Sequence, residues 1–299
     1  MAWLALGAGG CKTQENTPPA PSTSASTTLA PSPSAKPVNA IPVPSASVMN
    51  AVNPSGLPAY TGPTGSVEGT IFVTGDPAPP QMGKSFEGCA AAASVYGKQF
   101  REGAPQADGR RPLADAMVGI TGYSGYFIPE TRSAQRMTID NCAYSQRTVV
   151  LTLGQVLEVQ NLTSDIYAPE LENDPAPALM MAAPKSDAVK LYPSKIGRYR
   201  VIERTKHPWM EADVFVIGHP LHAVTDTAGH YRIEGVPVGK LSVSAIHPFI
   251  LTSADGGGDQ EVRGEVDVHA GVVAKVDLTI PYGRIAPRPP SIDRKPVLP

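Results

Sequence analysis

Short apolar runs rich in β-branched residues recur along the middle of the chain, each four to ten residues long and bounded by turn formers. They are Ser66–Val73, Ala116–Thr121, Thr148–Leu153, Val156–Gln160, Tyr199–Ile202 and Asp213–Ile217, then His230–Ile233, Lys240–Ile246, Gln260–Val268 and Val272–Ile280. Runs of this length and composition predict strands. The breaks between the later ones, Asp226–Gly229, Pro237–Gly239 and Asp255–Asp259, are turn sequences. Only Cys89–Gln99 carries a helical period. The pattern therefore predicts an all-β fold of antiparallel sandwiches, with no repeat of solenoid period.

Composition changes the picture at the two ends. The chain has 299 residues with 32 prolines and 28 glycines, about a fifth of the total, against a usual share of roughly 12%. Much of that excess lies in residues 12–65, a Pro, Ser, Ala and Thr stretch whose charges are Lys12, Glu15 and Lys36. Such a segment buries too little apolar surface to offset its conformational entropy and reads as a disordered linker, extended by its prolines. Residues 283–299 form a second Pro-rich stretch, with Arg284, Arg288, Arg294 and Lys295 against Asp293.

The net charge of −2 offers no positive field for nucleic acid, so no nucleic-acid partner is expected. No apolar run approaches the ~20 residues needed to span a bilayer. A G-x-S-x-G elbow, an H-E-x-x-H pair and a phosphate loop are all missing, so neither an enzyme nor a small-molecule substrate is expected. Two carboxylates in Asp255–Asp259 fall short of a calcium shell.

Cysteine use is more specific. Leu6-Gly7-Ala8-Gly9-Gly10-Cys11 sets small residues before a cysteine and a polar Pro-rich stretch after it. This resembles the lipobox of bacterial lipoproteins. It implies that residues 1–11 are the end of a truncated signal, that Cys11 carries the lipid, and that the chain is held at a periplasmic or outer-membrane surface among other envelope proteins. Cys89 and Cys142 are then an even pair, for which a disulfide is economical and two free buried thiols the alternative.

Further motifs point to a family. Ile139-Asp140-Asn141-Cys142-Ala143-Tyr144 is similar to an "ID..C.F/Y" strand, Gly154-Gln155-Val156-Leu157-Glu158 to a "GQ.VE" turn, and His207-Pro208-Trp209-Met210 to a "C..HPWM" closing loop. Together they resemble a plastocyanin-like cupredoxin domain, placed at 66–218. Cys142 and Cys89 match family cysteines that do not bind metal, which implies a structural bond. Residues 223–239 resemble the "TD..G.Y.I..VP.G" signature of carboxypeptidase regulatory-like domains, small transthyretin-like sandwiches, placed at 219–282. Asp226 is expected to bond backbone amides ahead of it and Gly229 to take a positive-φ turn position. Gly69–Gly75 followed by Pro112–Val118 also resembles the opening of such a domain, so the first module could be inserted in the second.

Blue copper needs two imidazoles, a thiolate and a weak axial thioether. The resemblance assigns His207 and Met210 to two of these positions, but beyond Asp165, where the other imidazole should be, the chain has Tyr167-Ala168-Pro169-Glu170, and Arg204 stands at the thiolate's position. The expectation is a cupredoxin-like sandwich without its copper, and no cofactor. The alternative is a copper carrier built on His207 and Met210, with His219 and His222 as further weak metal candidates. His247 reads as a hydrogen-bonded surface residue at a strand end.

Overall fold

The computed structural model describes residues 40–83, 85–172, 174–175, 179–250 and 260–283. Cys11, most of the expected linker, Asp255–Asp259 and most of the 283–299 tail lie outside them. The described chain is all-β but for two short helices, α1 (Ser45–Val52) and α2 (Ala90–Tyr96). No helix among the described residues is long and apolar enough to cross a membrane.

Strands β1 (Thr64–Gly75), β2 (Arg111–Pro112) and β3 (Met117–Thr121) open one sandwich. The chain then leaves it for a second, made of β4 (Ala134–Asp140), β5 (Ala143–Tyr144), β6 (Thr148–Thr152), β7 (Val156–Asn161), β8 (Pro169–Glu172), β9 (Val189–Leu191), β10 (Gly197–Glu203) and β11 (Glu211–Ile217). It returns with β12 (His222–Val224), β13 (His230–Pro237), β14 (Gly239–Ile246), β15 (Val262–Val268), β16 (Val273–Lys275) and β17 (Leu278–Tyr282). In the outer sandwich a sheet of β13, β1, β16, β17 and β2 faces a sheet ordered β12-β3-β14-β15; in the inserted one, β6-β11-β10-β8 faces β5-β4-β7-β9. Each sandwich has its own core, with Val67, Ile71, Val118, Val243 and Ile280 in the first and Met137, Leu151, Leu157, Val201 and Val214 in the second.

The boundary expected at 218/219 does not follow the strand pairing. β1 lies in register with β13, Val67 opposite Ile233, and parallel to β17, Ile71 opposite Leu278, so the 64–121 segment shares a core with 221–282. Its inward Val67, Ile71 and Val73 would be exposed without those C-terminal strands. The expected disordered stretch 12–65 also differs in its described part. There α1 sets Val48 and Val52 four residues apart on one face, with Val52 packed on the inserted core. A Cβ on Gly154 would come 3.0 Å from Val48.

The Asp226 turn forms as the sequence predicts. Its Oδ1 accepts the amides of Ala228 at 2.8 Å and His230 at 2.9 Å. Gly229 has φ +77, and a Cβ there would lie 2.7 Å from the Ile71 carbonyl oxygen. Only glycine meets both conditions.

A polar seam joins the sandwiches. β6 is buried along its whole length, because its outward residues face β3 and β12 rather than water, and this is why it reads as a continuous apolar run. Asp115, 2% exposed, takes a bidentate bond from Arg101 (2.7 and 2.6 Å) and accepts the Arg147 amide at 3.3 Å. The buried Arg147 guanidinium donates to the Lys98 carbonyl at 3.1 Å and lies 4.3 Å over the Phe249 ring. Beside it His247 is fully buried, which corrects its placement on the surface: it continues the inward register of Leu241, Val243 and Ala245. At the other end Glu130, Arg132 and Thr152 surround His222.

Both seam histidines are held neutral. Burial, with Arg132 adding to it against Glu130, pushes His222 down to about 3. Burial likewise takes His247 to about 4. Their unfolded counterparts titrate near 6.5. Between pH ~6.5 and ~4 the unfolded chain gains protons that the folded one refuses, so stability is full above the unfolded value and falls as pH drops, by up to about 1.4 kcal/mol per pH unit for each histidine. Urea midpoints are expected to drop from pH 7 to pH 5 in the native chain and to drop less in a His222→Gln/His247→Gln variant. Equal slopes in the two would refute the assignment.

Candidate functional site

The loop between β10 and β11 is organised by one carboxylate. β10 alternates, with Tyr199, Val201 and Glu203 turned inward, so the strand delivers a carboxyl group to the edge of the core. Glu203 accepts the amides of Ala168 (3.1 Å), Thr205 (3.0 Å), Lys206 (2.7 Å) and His207 (2.9 Å), and the Thr205 hydroxyl. Burial pushes this carboxyl up, but the bonds from Thr205, His207, Lys206 and Ala168 outweigh it and hold it at about 2, below its ordinary 4.5. The turn then closes through the Met210 amide, which donates to the His207 carbonyl at 2.8 Å. Met210 itself is fully buried in the inserted core.

Around His207 the lining is aromatic. Its ring centroid lies 5.8 Å from that of Tyr167 and 4.9 Å from that of Trp209. Trp209 meets Phe86 edge-on at 5.5 Å and its Nε1 donates to the Cys142 carbonyl at 3.3 Å. His207 Nδ1 is shielded from solvent and has no hydrogen-bond partner.

Cys89 and Cys142 are joined in a disulfide with Cα atoms 5.5 Å apart. Cys89 directly precedes α2, and Asn141-Cys142 is the two-residue turn between β4 and β5, both at positive φ (44° and 58°). The two sulfurs and a ring nitrogen of His207 all lie within 4.8 Å of one another. This juxtaposition was not foreseen from the sequence, which assigns the cysteines to structure alone. The three residues stand on segments far apart in the chain, and the histidines nearest to His207 in sequence, His219 and His222, drew the metal reading away from the cysteines.

The other candidates are not brought to this place. His222 lies in the seam, its Nε2 3.4 Å from Arg132 Nη2 and from Thr152 Oγ1. His219 packs against the Tyr123 ring at 6.2 Å, and burial lowers its pKa. Among the described residues the group of three or more possible metal ligands contains neither of them.

A type 1 copper centre does not fit these residues. Tyr167, 1% exposed, is the side chain whose ring lies 5.8 Å from that of His207, and it brings no imidazole. Arg204 turns outward and holds Glu170 through two bonds of 2.9 and 2.8 Å. One imidazole and one thioether do not make the near-trigonal set of two imidazoles and a thiolate.

No protein-family model matches the chain, and no curated protein matches it. Among solved structures it is similar to amicyanin from Paracoccus versutus (Thiobacillus versutus), at 18% identity over 30% of this chain and 85% of that one, with a TM-score of 0.25. A reduced amicyanin variant is 18% identical over 29% of this chain and 86% of that one, TM-score 0.26. The Cu(I) form of another variant is 19% identical over the same shares, TM-score 0.26.

Proposed function

We propose that this chain is a non-enzymatic envelope lipoprotein, a structural or protein-binding subunit built on a cupredoxin-like sandwich that has given up type 1 copper. The observation that carries the reading is the β10–β11 loop. A carboxylate, Glu203, holds it in shape through three of its backbone amides, Thr205, Lys206 and His207, and ties it to Ala168 beside β8 through a fourth, so the loop needs no metal to close. The lipobox-like Leu6–Cys11, the 138–222 motifs and the regulatory-like signature at 223–239 supply the rest, with other envelope proteins as partners and the membrane reached through Cys11.

Two measurements test it. Copper(II) added to the purified, oxidised full chain is expected to give no strong visible thiolate charge-transfer band, and such a band would overturn the loss of the blue site. Intact mass of protein purified from the envelope is expected to show an acylated N-terminal Cys11; an unmodified chain beginning upstream of it would sink the anchor. A copper carrier using His207 and Met210 is the second reading, favoured by the unpartnered Nδ1 of His207.

A further inference from the structure

We propose that Cys89, Cys142 and His207 form a redox-gated site for copper(I), closed while the cysteines are bonded to each other and opened when a dithiol reduces them. The inference goes beyond the proposed subunit role and does not depend on it.

Three donors from three separate segments lie within 4.8 Å of one another, a spread that a single metal ion can bridge once the sulfurs part. The imidazole is already in place. The Glu203 carboxylate fixes the His207 backbone at 2.9 Å, and its Nδ1 is shielded without a partner, a state that costs free energy unless something takes up the lone pair or the proton. Two thiolates and one imidazole are a soft donor set. Three ligands suit copper(I), whereas zinc in closed sites takes four. Tyr167, Trp209 and Phe86 wall the place with apolar surface.

The chemistry balances. A thiolate of the dithiol attacks the half-buried Cys142 sulfur, a mixed disulfide forms, and the donor's second thiol releases it as the donor's own disulfide. Two electrons and two protons are left on Cys89 and Cys142. Copper(I) then displaces both thiol protons without changing its oxidation state. Reoxidation of the pair by a disulfide-bearing acceptor takes the two electrons back and frees the metal.

The test uses the full chain under anaerobic conditions, reduced with dithiothreitol, desalted, and titrated with copper(I) in competition with bathocuproine disulfonate. The reduced chain is expected to bind one copper(I) and, when loaded, to resist alkylation of both cysteines by iodoacetamide in the mass spectrum. The oxidised chain is expected to bind none. His207→Ala is expected to weaken binding by roughly tenfold or more, the range already lost when only a ligand's supporting partner is removed. Cys89→Ser/Cys142→Ser, with its fold followed by circular dichroism, is expected to behave as the oxidised chain. Equal copper(I) binding by oxidised and reduced chains, full affinity in His207→Ala, displacement of copper(I) by an equal concentration of zinc(II), or a reduced chain that unfolds and is not refolded by copper(I) would each overturn the proposal.

Discussion

Replacing Asp115 with alanine is expected to destabilise the chain by about 3–5 kcal/mol, the cost of removing one partner from a buried charge cluster. Asp115 is 2% exposed and sits where the sandwiches meet. It holds Arg101 through two short bonds and caps the Arg147 amide. Arg147 is itself 3% exposed, so without the carboxylate Arg101 loses its fork and the buried Arg147 guanidinium, though still bonded to the Lys98 carbonyl, loses the attraction of an opposite charge. The backbone adds to the loss. Asp115 has φ +63, a left-handed conformation that aspartate and asparagine tolerate better than alanine. Asp115→Asn keeps that conformation and an acceptor oxygen, and is expected to lose markedly less. Guanidinium unfolding followed by Trp209 fluorescence reads both variants. A loss below about 1 kcal/mol for Asp115→Ala, the level of an exposed ion pair, would mean that the seam does not bind the sandwiches together.

That seam also marks how far the sequence could be read. β6 and β11 stood out because both faces of each are covered, which makes their apolar runs continuous. β10 and β14 stood out by alternation, and the same alternation carried two signals that went unread. Glu203 continues the inward register of Tyr199 and Val201, and His247 that of Leu241, Val243 and Ala245, so each polar side chain points to a buried site with a function to account for. β4 showed only its Ile139–Asp140 end, through the family resemblance, because only Met137 and Ile139 of its seven residues are buried. α1 escaped because prolines surround it and its apolar face is two residues wide. The partner of β1 could not be read from periodicity: Val67 pairs with Ile233, nothing local in either strand specifies the other, and only the resemblance of Gly69–Gly75 to the opening of a regulatory-like domain pointed to the C-terminal strands. The meeting of Cys89, Cys142 and His207 is of that same kind, since it depends on where three loops end and not on any spacing along the chain.

Loss of the Cys89–Cys142 bond is expected to cost roughly 4 kcal/mol, from the chain entropy released when a loop of 53 residues is opened in the unfolded state. The loop is well placed to deliver that value. It leaves the inserted sandwich at α2, runs through β2 and β3 of the outer one and returns at the β4–β5 turn, so the bond shortens the very excursion that couples the two modules. Cys89→Ser/Cys142→Ser keeps small polar side chains at both positions and leaves the left-handed Cys142 backbone as it is, which restricts the change to the cross-link. Denaturant midpoints of this variant and of the dithiothreitol-treated chain are expected to coincide and to lie well below that of the oxidised protein. An unchanged midpoint would show that the loop is already ordered in the unfolded ensemble. A domain of ordinary stability, about 5–15 kcal/mol, survives a loss of this size with a thin margin. The reduced chain is therefore the state in which a bound ion has most effect. At a hundredfold excess over its dissociation constant a ligand specific to the folded form restores about 2.7 kcal/mol, so copper(I) is expected to raise the midpoint of the reduced chain and to leave that of the oxidised chain unmoved.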